Sequence, residues 1–297
     1  MSTTIVAFCV FFIHLNRFFV NMAKFGVEWK AELSKGENME NENIEQSESQ
    51  DFEEKVAELQ RIIDESKSIV FFGGAGVSTE SGIPDFRSQD GLYAQKWKMP
   101  PEYMVSRTCF DTQTKEFFEF YREKLIIKGV KPNTTHIKLA ELEKAGKLSA
   151  VVTQNIDGLH QAAGSKKVYE LHGSTLRNFC MNCKEPYGID FIAESENEPD
   201  KIPHCKKCGG IVKPDVVLYE EGLDENVING AVQAIENADT LIIGGTSLVV
   251  YPAAGFIRYF HGKHLVMINK SETQADSNCD LVIHDSLGKV FGRINVG

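Results

Sequence analysis

Basic side chains are in short supply in this chain of 297 residues: 32 Lys and Arg stand against 42 Asp and Glu, a formal charge of −10. Non-specific nucleic-acid binding needs a cationic surface that displaces counterions, so no direct nucleic-acid partner is expected. An acidic surface instead tolerates lysine-rich protein partners, although acidity also serves solubility alone. Proline is sparse at 9 residues beside 24 Gly, and with 42% hydrophobic and 25% charged residues the composition is that of a globular protein. The length suits one large domain with an inserted lobe, or two ordinary domains. No internal repeat is visible.

An even set of cysteines at disulfide-framework spacing is also missing. Of the seven, Cys9, Cys109 and Cys279 stand alone, whereas Cys180, Cys183, Cys205 and Cys208 form two C-x-x-C pairs. That pattern implies a reducing compartment, the cytoplasm, with the paired cysteines as metal ligands.

No uninterrupted apolar run is long enough to span a bilayer, which takes about 20 residues. Residues 4–20 come nearest, but His14, Asn16 and Arg17 interrupt them. No Lys or Arg precedes Arg17 and no A-x-A site follows, so a signal peptide fits poorly and no membrane partner is expected. A third reading starts from Lys35-Gly36-Glu37-Asn38-Met39, which back-translates to AAA-GGA-GAA-AAT-ATG. That wording places a bacterial ribosome-binding sequence just ahead of Met39, making residues 1–38 a translated leader. The alternative is a genuine disordered or membrane-touching extension. Residues 39–51 are acidic and polar, so 1–51 reads as leader or disordered extension.

From residue 52 the pattern changes. Phe52, Val56, Leu59 and Ile63 recur at helical spacing and predict a helix over 52–65, capped near Ser49 or Asp51. Residues 68–72 form a short apolar run ending in Gly73-Gly74, as a buried parallel strand does. Similar runs follow at 150–153, 240–244, 264–269 and 281–284, with helical patterns between them at 114–127 and 136–145. Strands alternating with helices predict an α/β fold: a doubly wound parallel sheet, Rossmann-like, with ligands beyond the strands' carboxyl ends. Residues 173–215 break the rhythm and read as a small inserted lobe.

That lobe holds Cys180-Met181-Asn182-Cys183, then 21 residues, then Cys205-Lys206-Lys207-Cys208. Two such knuckles supply four thiolates for one Zn²⁺. With no ligand position open, the zinc is expected to be structural.

Gly74-Ala75-Gly76-Val77-Ser78-Thr79 follows the first strand as a dinucleotide-binding turn should. Its glycines permit a tight turn and a close approach of backbone N–H groups to a pyrophosphate. The third glycine of G-x-G-x-x-G is missing, since Thr79 stands there. The ribose-binding acid about 20 residues on is missing too, where the chain reads Leu92-Tyr93-Ala94-Gln95. A hydride-transferring dehydrogenase is therefore a poor fit.

The stretch from Gly74 through Ser81-Gly82-Ile83-Pro84-Asp85-Phe86-Arg87 resembles the sirtuin signature GAG-x-S-x-x-SGIPDFR. Thr153-Gln154-Asn155-Ile156-Asp157-Gly158-Leu159-His160 resembles that family's TQNID-x-LH block, and Glu170-Leu171-His172-Gly173 its ELHG block. The cysteine pairs, Lys213-Pro214-Asp215-Val216-Val217, Gly245-Thr246-Ser247 and Ile268-Asn269 follow in the family's order. The resemblance runs over roughly 52–293, which becomes the expected catalytic domain, with 173–215 as the inserted zinc lobe.

The resemblance implies an NAD-dependent protein lysine deacetylase, a transferase releasing nicotinamide and O-acetyl-ADP-ribose. NAD would be its co-substrate and one structural Zn²⁺ would sit in each chain. It further implies that the backbone at Ala75, with Thr79 and Arg87, holds phosphates, and that Phe86 covers the nicotinamide. Gln154 and Asn155 would meet the nicotinamide ribose and an ordered water. Ile156 and Asp157 would hold the carboxamide, and Thr246, Ser247 and Asn269 would line the adenosine half. His172 and Asn155 would be catalytic, His172 as general base on a ribose hydroxyl near neutral pH. The acyl-lysine protein would bind as an added β-strand, with Val217 against the acyl-lysine stem.

Two departures stand out. Many relatives read F-G-E where this chain has Tyr219-Glu220-Glu221, a loop change expected to spare activity. Sirtuins preferring succinyl or malonyl groups carry Tyr-x-x-Arg in the acyl-pocket helix, and the matching stretch here is Tyr121-Arg122-Glu123-Lys124. Either Tyr121 and Lys124 reach the substrate's acyl end, where Lys lacks the bidentate fork of Arg, or they are ordinary helix residues. A deacylase for acidic acyl groups, a mono-ADP-ribosyltransferase and a zinc-ribbon module that merely senses NAD remain competing readings.

Overall fold

The structure, a computed structural model, describes residues 49–296 apart from 87, 89, 90, 95 and 96. The proposed leader and Arg87 lie outside the described residues. The chain divides into two units, 1–54 and 55–297. Among the described residues no helix is long and apolar enough to cross a membrane.

Among the described residues helix α1 covers 49–65, and its apolar stripe buries Val56, Leu59, Ile62 and Ile63. Strand β1 (Ile69–Gly73) is buried at every position, which is why its sequence does not alternate. Short helices α2 (Pro101–Met104) and α3 (Arg107–Thr112) lead into α4 (Thr114–Lys124), followed by α5 (Thr134–Lys144). Then come β2 (Leu148–Thr153), α6 (Leu159–Ala163), β3 (Val168–Glu170), β4 (Gly173–Cys180), β5 (Pro186–Tyr187), α7 (Ile189–Glu194) and β6 (Val212–Val216). The chain finishes with α8 (Glu225–Glu236), β7 (Thr240–Gly244), β8 (His264–Ile268), β9 (Leu281–Ile283) and α9 (Leu287–Phe291).

Six strands form one parallel sheet in the order β3-β2-β1-β7-β8-β9. Successive side chains alternate faces. Val70, Phe72, Val152, Leu241 and Ile243 pack with Ala231 and Ile235 of α8. Phe71 points the other way and meets Phe291 of α9 edge-on at 6.0 Å. The order reverses between β1 and β7, so the sheet's ligand crevice opens at their carboxyl ends.

The small lobe is an antiparallel sheet, β5-β4-β6, and it takes in more chain than 173–215. Phe110, Phe117, Phe118 and Tyr121 share a buried core with Cys180, Ile192, Cys205 and Val212. Arg122 of α4 donates through Nη1 to Ser195 Oγ at 2.8 Å and to the Lys201 carbonyl at 3.0 Å. The helical pattern over 114–127 therefore belongs to this lobe and not to the strand–helix alternation. Its aromatics pack on one another and on Phe110, but their lobe partners Cys180, Ile192, Cys205 and Val212 lie tens of positions away, so no local pattern reveals that.

His136 on α5 and His160 on α6 are buried, with ring centroids 4.7 Å apart. Burial lowers both pKa values; Asp157 opposes the shift at His136, while His136 adds to it at His160. Both are thus neutral when folded and protonate at about pH 6.5 when unfolded. Their stabilising contribution is complete above that pH and is lost as pH falls. Each group costs about 1.4 kcal/mol per pH unit, so the pair should remove roughly 2–3 kcal/mol per unit below about pH 6. Urea midpoints measured from pH 7.5 to 5 check this, and a flat profile would rule it out.

Candidate functional site

The site assembles where three strand ends meet. Gly74 N–H donates to the Gly244 carbonyl at 3.2 Å and Gly76 N–H to that of Gly245 at 2.8 Å. A Cβ on Gly76 would stand 2.8 Å from Gly245 Cα, and one on Gly245, where φ is +61°, 2.5 Å from the Val77 nitrogen. Only glycine lets the β1 and β7 turns close on each other, leaving a backbone-lined cradle at the crevice. Ala75 and Thr79 lie on the β1 turn, and Thr79 Oγ1 donates to the Gly76 carbonyl at 3.0 Å. Thr246 and the exposed Ser247 follow β7, and Asn269 follows β8, its Nδ2 donating to the Ser271 carbonyl at 2.9 Å.

The β2 end supplies the polar centre. Gln154 Nε2 donates to Thr246 Oγ1 at 3.1 Å, tying β2 to β7 across β1. Asn155 Nδ2 donates to Ser78 Oγ at 3.0 Å, and that hydroxyl donates to Asp157 Oδ2 at 2.7 Å. Asp157 Oδ1 also accepts from Leu159 N–H at 2.9 Å. Ser78, 1% exposed, is therefore the hub that fixes both side chains. Sequence reasoning gave it no role, although its place two residues after Gly76 was a usable signal. Ile156 and Phe86 both pack against the small lobe's core, and the Ile156 carbonyl accepts from Thr175 N–H at 2.9 Å.

His172 stands between the two lobes. Its Nδ1 is 3.0 Å from the Gln154 carbonyl oxygen. A carbonyl only accepts, so Nδ1 carries the proton and Nε2 is left as the basic nitrogen. Burial lowers the His172 pKa, and the Gln154 carbonyl partly opposes that shift. Gly173 follows at φ +75°, where a Cβ would lie 2.0 Å from the Asp215 carbonyl. No other residue lets β4 leave the His172 turn so close to β6.

Val217 follows β6, the edge strand of its sheet, and its N–H donates to the His172 carbonyl at 3.0 Å. Lys213 and Glu221 hold this segment from behind, two residues sequence analysis left unassigned. Lys213 Nζ donates to the Val216 carbonyl at 2.9 Å and to Glu221 Oε2 at 3.1 Å, and Glu221 accepts from Leu218 N–H at 2.9 Å. Arg177 adds a clamp across the lobes, with Nη1 2.7 Å from Glu170 and Nε 2.8 Å from Asp215.

The departures find physical reasons. Glu220, in the middle of the Tyr219-Glu220-Glu221 departure, takes φ +75°, a conformation that favours glycine. Its carboxylate accepts from Thr108 N–H at 2.8 Å and Thr108 Oγ1 at 2.7 Å, so bonds at the first turn of α3 offset the strain. Tyr121 is fully buried, stacked on Phe117, with its hydroxyl unpartnered. Lys124 Nζ lies over the Trp97 ring, 5.6 Å from its centroid, and 2.9 Å from Glu123. No hydrogen bond joins these two side chains, which favours the ordinary-helix reading.

In the lobe the four cysteine sulfurs lie within 4.8 Å of one another. Cys180 and Cys208 approach to 3.4 Å, and Cys183 and Cys205 to 3.6 Å. A tetrahedron of ~2.3 Å Zn–S bonds needs sulfurs about 3.8 Å apart, so the set fits one structural Zn²⁺. A Cβ on Gly210 would come 3.1 Å from Cys180 Sγ, so glycine keeps the knuckle open. Outside the four thiols, the Tyr187 hydroxyl donates to Cys205 Sγ at 3.2 Å, the kind of outer contact that orients a ligand.

A doubly wound sheet with a glycine cradle at its switch point, an Asn–Ser–Asp network and a four-cysteine lobe defines a nucleotide-using enzyme of a recognisable kind. Residues 74–252 match the Sir2 family, and the chain belongs to it. It is 63% identical over 243 residues to the NAD-dependent protein deacetylase of Clostridium acetobutylicum, covering 81% of this chain and 98% of that one. The protein of the same description from Clostridium perfringens is also 63% identical, over 82% of this chain and 99% of its own. A solved Sir2–peptide–NAD⁺ complex shares 36% identity at TM-score 0.71, with 80% of this chain and 95% of that one covered. A Sir2 protein bound to acetylated peptide shares 34% at TM-score 0.71, with the same two coverages.

Proposed function

We propose that this protein is an NAD-dependent protein lysine deacetylase, releasing nicotinamide and O-acetyl-ADP-ribose. The observation that carries the reading is the Asn155–Ser78–Asp157 network beside a histidine whose basic Nε2 is set by the Gln154 carbonyl. Bound NAD⁺ supplies an electrophilic ribose carbon that loses nicotinamide as the acyl-lysine carbonyl oxygen attacks it. The glycine turns at Gly74, Gly76 and Gly245 let backbone N–H groups reach the pyrophosphate at Ala75 and Thr79, and the family resemblance adds Arg87 as a phosphate contact. Thr246, Ser247 and Asn269 line the adenosine half. Gln154 and Asn155 hold the nicotinamide ribose, and Ile156 and Asp157 the carboxamide, pinned through Ser78 so that reacting groups stay in line. Phe86 covers the nicotinamide from the small-lobe side. His172 Nε2 accepts a proton from a ribose hydroxyl.

The acyl-lysine protein is read as an added strand on the edge at Val217, opposite the segment 247–250, with Val217 against the lysine stem. The metal-type use of four cysteines supports residence in the reducing cytoplasm. Mass spectrometry of products from NAD⁺ plus acetyl-lysine peptide tests the assignment. Absence of O-acetyl-ADP-ribose would overturn it, and ADP-ribosylated protein alone would favour the transferase reading.

Acyl preference follows from the α4 side chains. A succinyl carboxylate brought into the site would lack a bidentate partner, and an uncompensated buried charge costs several kcal/mol. Acetyl-lysine should therefore exceed succinyl-lysine in kcat/KM by about tenfold or more. Lys124→Leu should leave the succinyl-to-acetyl ratio unchanged, because its ammonium is held by Trp97 and Glu123. A fall in that ratio would return Lys124 to the acyl pocket.

A further inference from the structure

The segment that carries Val217 is fastened at both ends by backbone and in the middle by two charged side chains. At one end Val217 N–H donates to the His172 carbonyl at 3.0 Å. At the other, Tyr219 N–H donates to the Val105 carbonyl and the Tyr219 carbonyl accepts from Arg107 N–H, each at 3.0 Å. Between them Lys213 Nζ donates to the Val216 carbonyl at 2.9 Å, and Glu221 Oε2 accepts from Leu218 N–H at 2.9 Å. The two side chains are themselves joined, Nζ to Oε2, at 3.1 Å. The Val216 carbonyl belongs to the planar peptide group before Val217, and Leu218 N–H to the one after it. One ion pair therefore sets both peptide planes around the Val217 Cα, and with them the direction of its side chain.

The pair is enclosed, with the Lys213 and Glu221 side chains 16% and 20% exposed. Lys213 Nζ has a further acceptor in the Pro214 carbonyl at 3.3 Å. Glu221 Oε1 accepts from Arg107 Nη1 at 3.2 Å, and Arg107 Nε donates in turn to Asp111 at 2.8 Å. Burial lowers the Lys213 pKa, and Glu221 opposes that shift. Enclosing two charges is a costly way to stabilise a turn, and here stability has another source. Val216 and Leu218 bury their side chains in the small lobe's core, so anchoring is supplied without the charges. What the pair adds is the orientation of the two peptide groups.

We propose that Lys213 and Glu221 are positioning residues for the peptide substrate: by fixing the peptide groups on either side of Val217 they aim its side chain at the acyl-lysine stem and present the segment to the incoming strand in one conformation. This rests on the deacetylase reading and on the place given to Val217 within it. The effect falls on peptide recognition, since the residues assigned to NAD⁺ stand on the turns after β1, β2, β7 and β8. Loss of the pair should act as loss of a charge-assisted hydrogen bond does, about tenfold or more in peptide affinity.

The test compares the parent with Lys213→Met, Glu221→Gln and the double variant. Read on each are kcat, KM for an acetyl-lysine peptide, KM for NAD⁺ and the melting temperature. The double variant removes both charges together and buries no lone ion, so it is the one expected to stay folded. Its peptide KM should rise about tenfold, with kcat at saturating peptide and KM for NAD⁺ within about twofold of the parent. Each folded single variant should show the same split, and the double should go little further than either, because the two side chains act as a unit. A folded double variant with the parent's peptide KM overturns the proposal, as does a rise in KM for NAD⁺ or a fall in kcat as large as the peptide effect. A double variant that does not fold overturns it too, since the pair would then serve stability. A parent that makes no O-acetyl-ADP-ribose overturns the functional reading, and this proposal with it.

Discussion

His172→Ala should lower the deacetylation rate by about 10²-fold or more while leaving the protein folded, since loss of a general base costs on that order. The side chain makes one hydrogen bond, to a backbone carbonyl, so truncation should cost only about 1 kcal/mol of stability. The pH profile adds a readout that a structural role would not move. A general base must be neutral, and burial lowers the His172 pKa. The rate should therefore be on its plateau at neutral pH and should fall only as pH drops through a midpoint below the usual ~6.5. Equal rates in variant and parent would remove His172 from catalysis, and a midpoint above neutrality would contradict the buried geometry.

Cys205→Ser should be the most damaging change to the fold. Metal analysis of the parent should find about one Zn²⁺ per chain, and the variant should lose it. Apparent binding free energies for such sites are about 10–16 kcal/mol, comparable to the whole stability of a domain, about 5–15 kcal/mol. The loss would not stay local, because Cys205 and Cys180 share one core with Phe110, Phe117, Phe118 and Tyr121. Near-UV circular dichroism should show that aromatic packing collapsing, and the His172–Val217 contact should go with it. A stable, metal-free and fully active variant would show that the four thiols do not hold a structural ion.

Much of this was legible in the sequence because it is local. The run 240–244 forms β7 with those very bounds and is buried at every position, as a short apolar run, Leu241-Ile242-Ile243, ending in glycine suits a buried parallel strand. The helix expected over 52–65 is present, the described residues being helical from 49 to 65, because its apolar stripe at helical spacing is a local signal. Two C-x-x-C pairs announced a metal lobe, because both pairs and their turn residues are sequence neighbours. The short β3, three residues of half-buried chain, left no apolar run to find.

By itself the sequence indicated the parallel sheet, the cradle turn and the four paired cysteines, which follow from periodicity, from a glycine requirement or from spacing within a few positions of the chain. Asn155, Asp157 and His172 were singled out only by the resemblance of their blocks to the sirtuin family. Tertiary structure alone decided that Ser78 joins Asn155 to Asp157, that Lys213 and Glu221 brace the Val217 segment, and that α4 belongs to the zinc lobe. It also decided which nitrogen of His172 is basic and that Tyr121 lies in an aromatic core. These facts depend on hydrogen bonds and packing between residues tens of positions apart, such as the 77 separating Ser78 from Asn155. Their free energy appears only once the sheet order has brought the strand ends together, so no local pattern in the chain carries it.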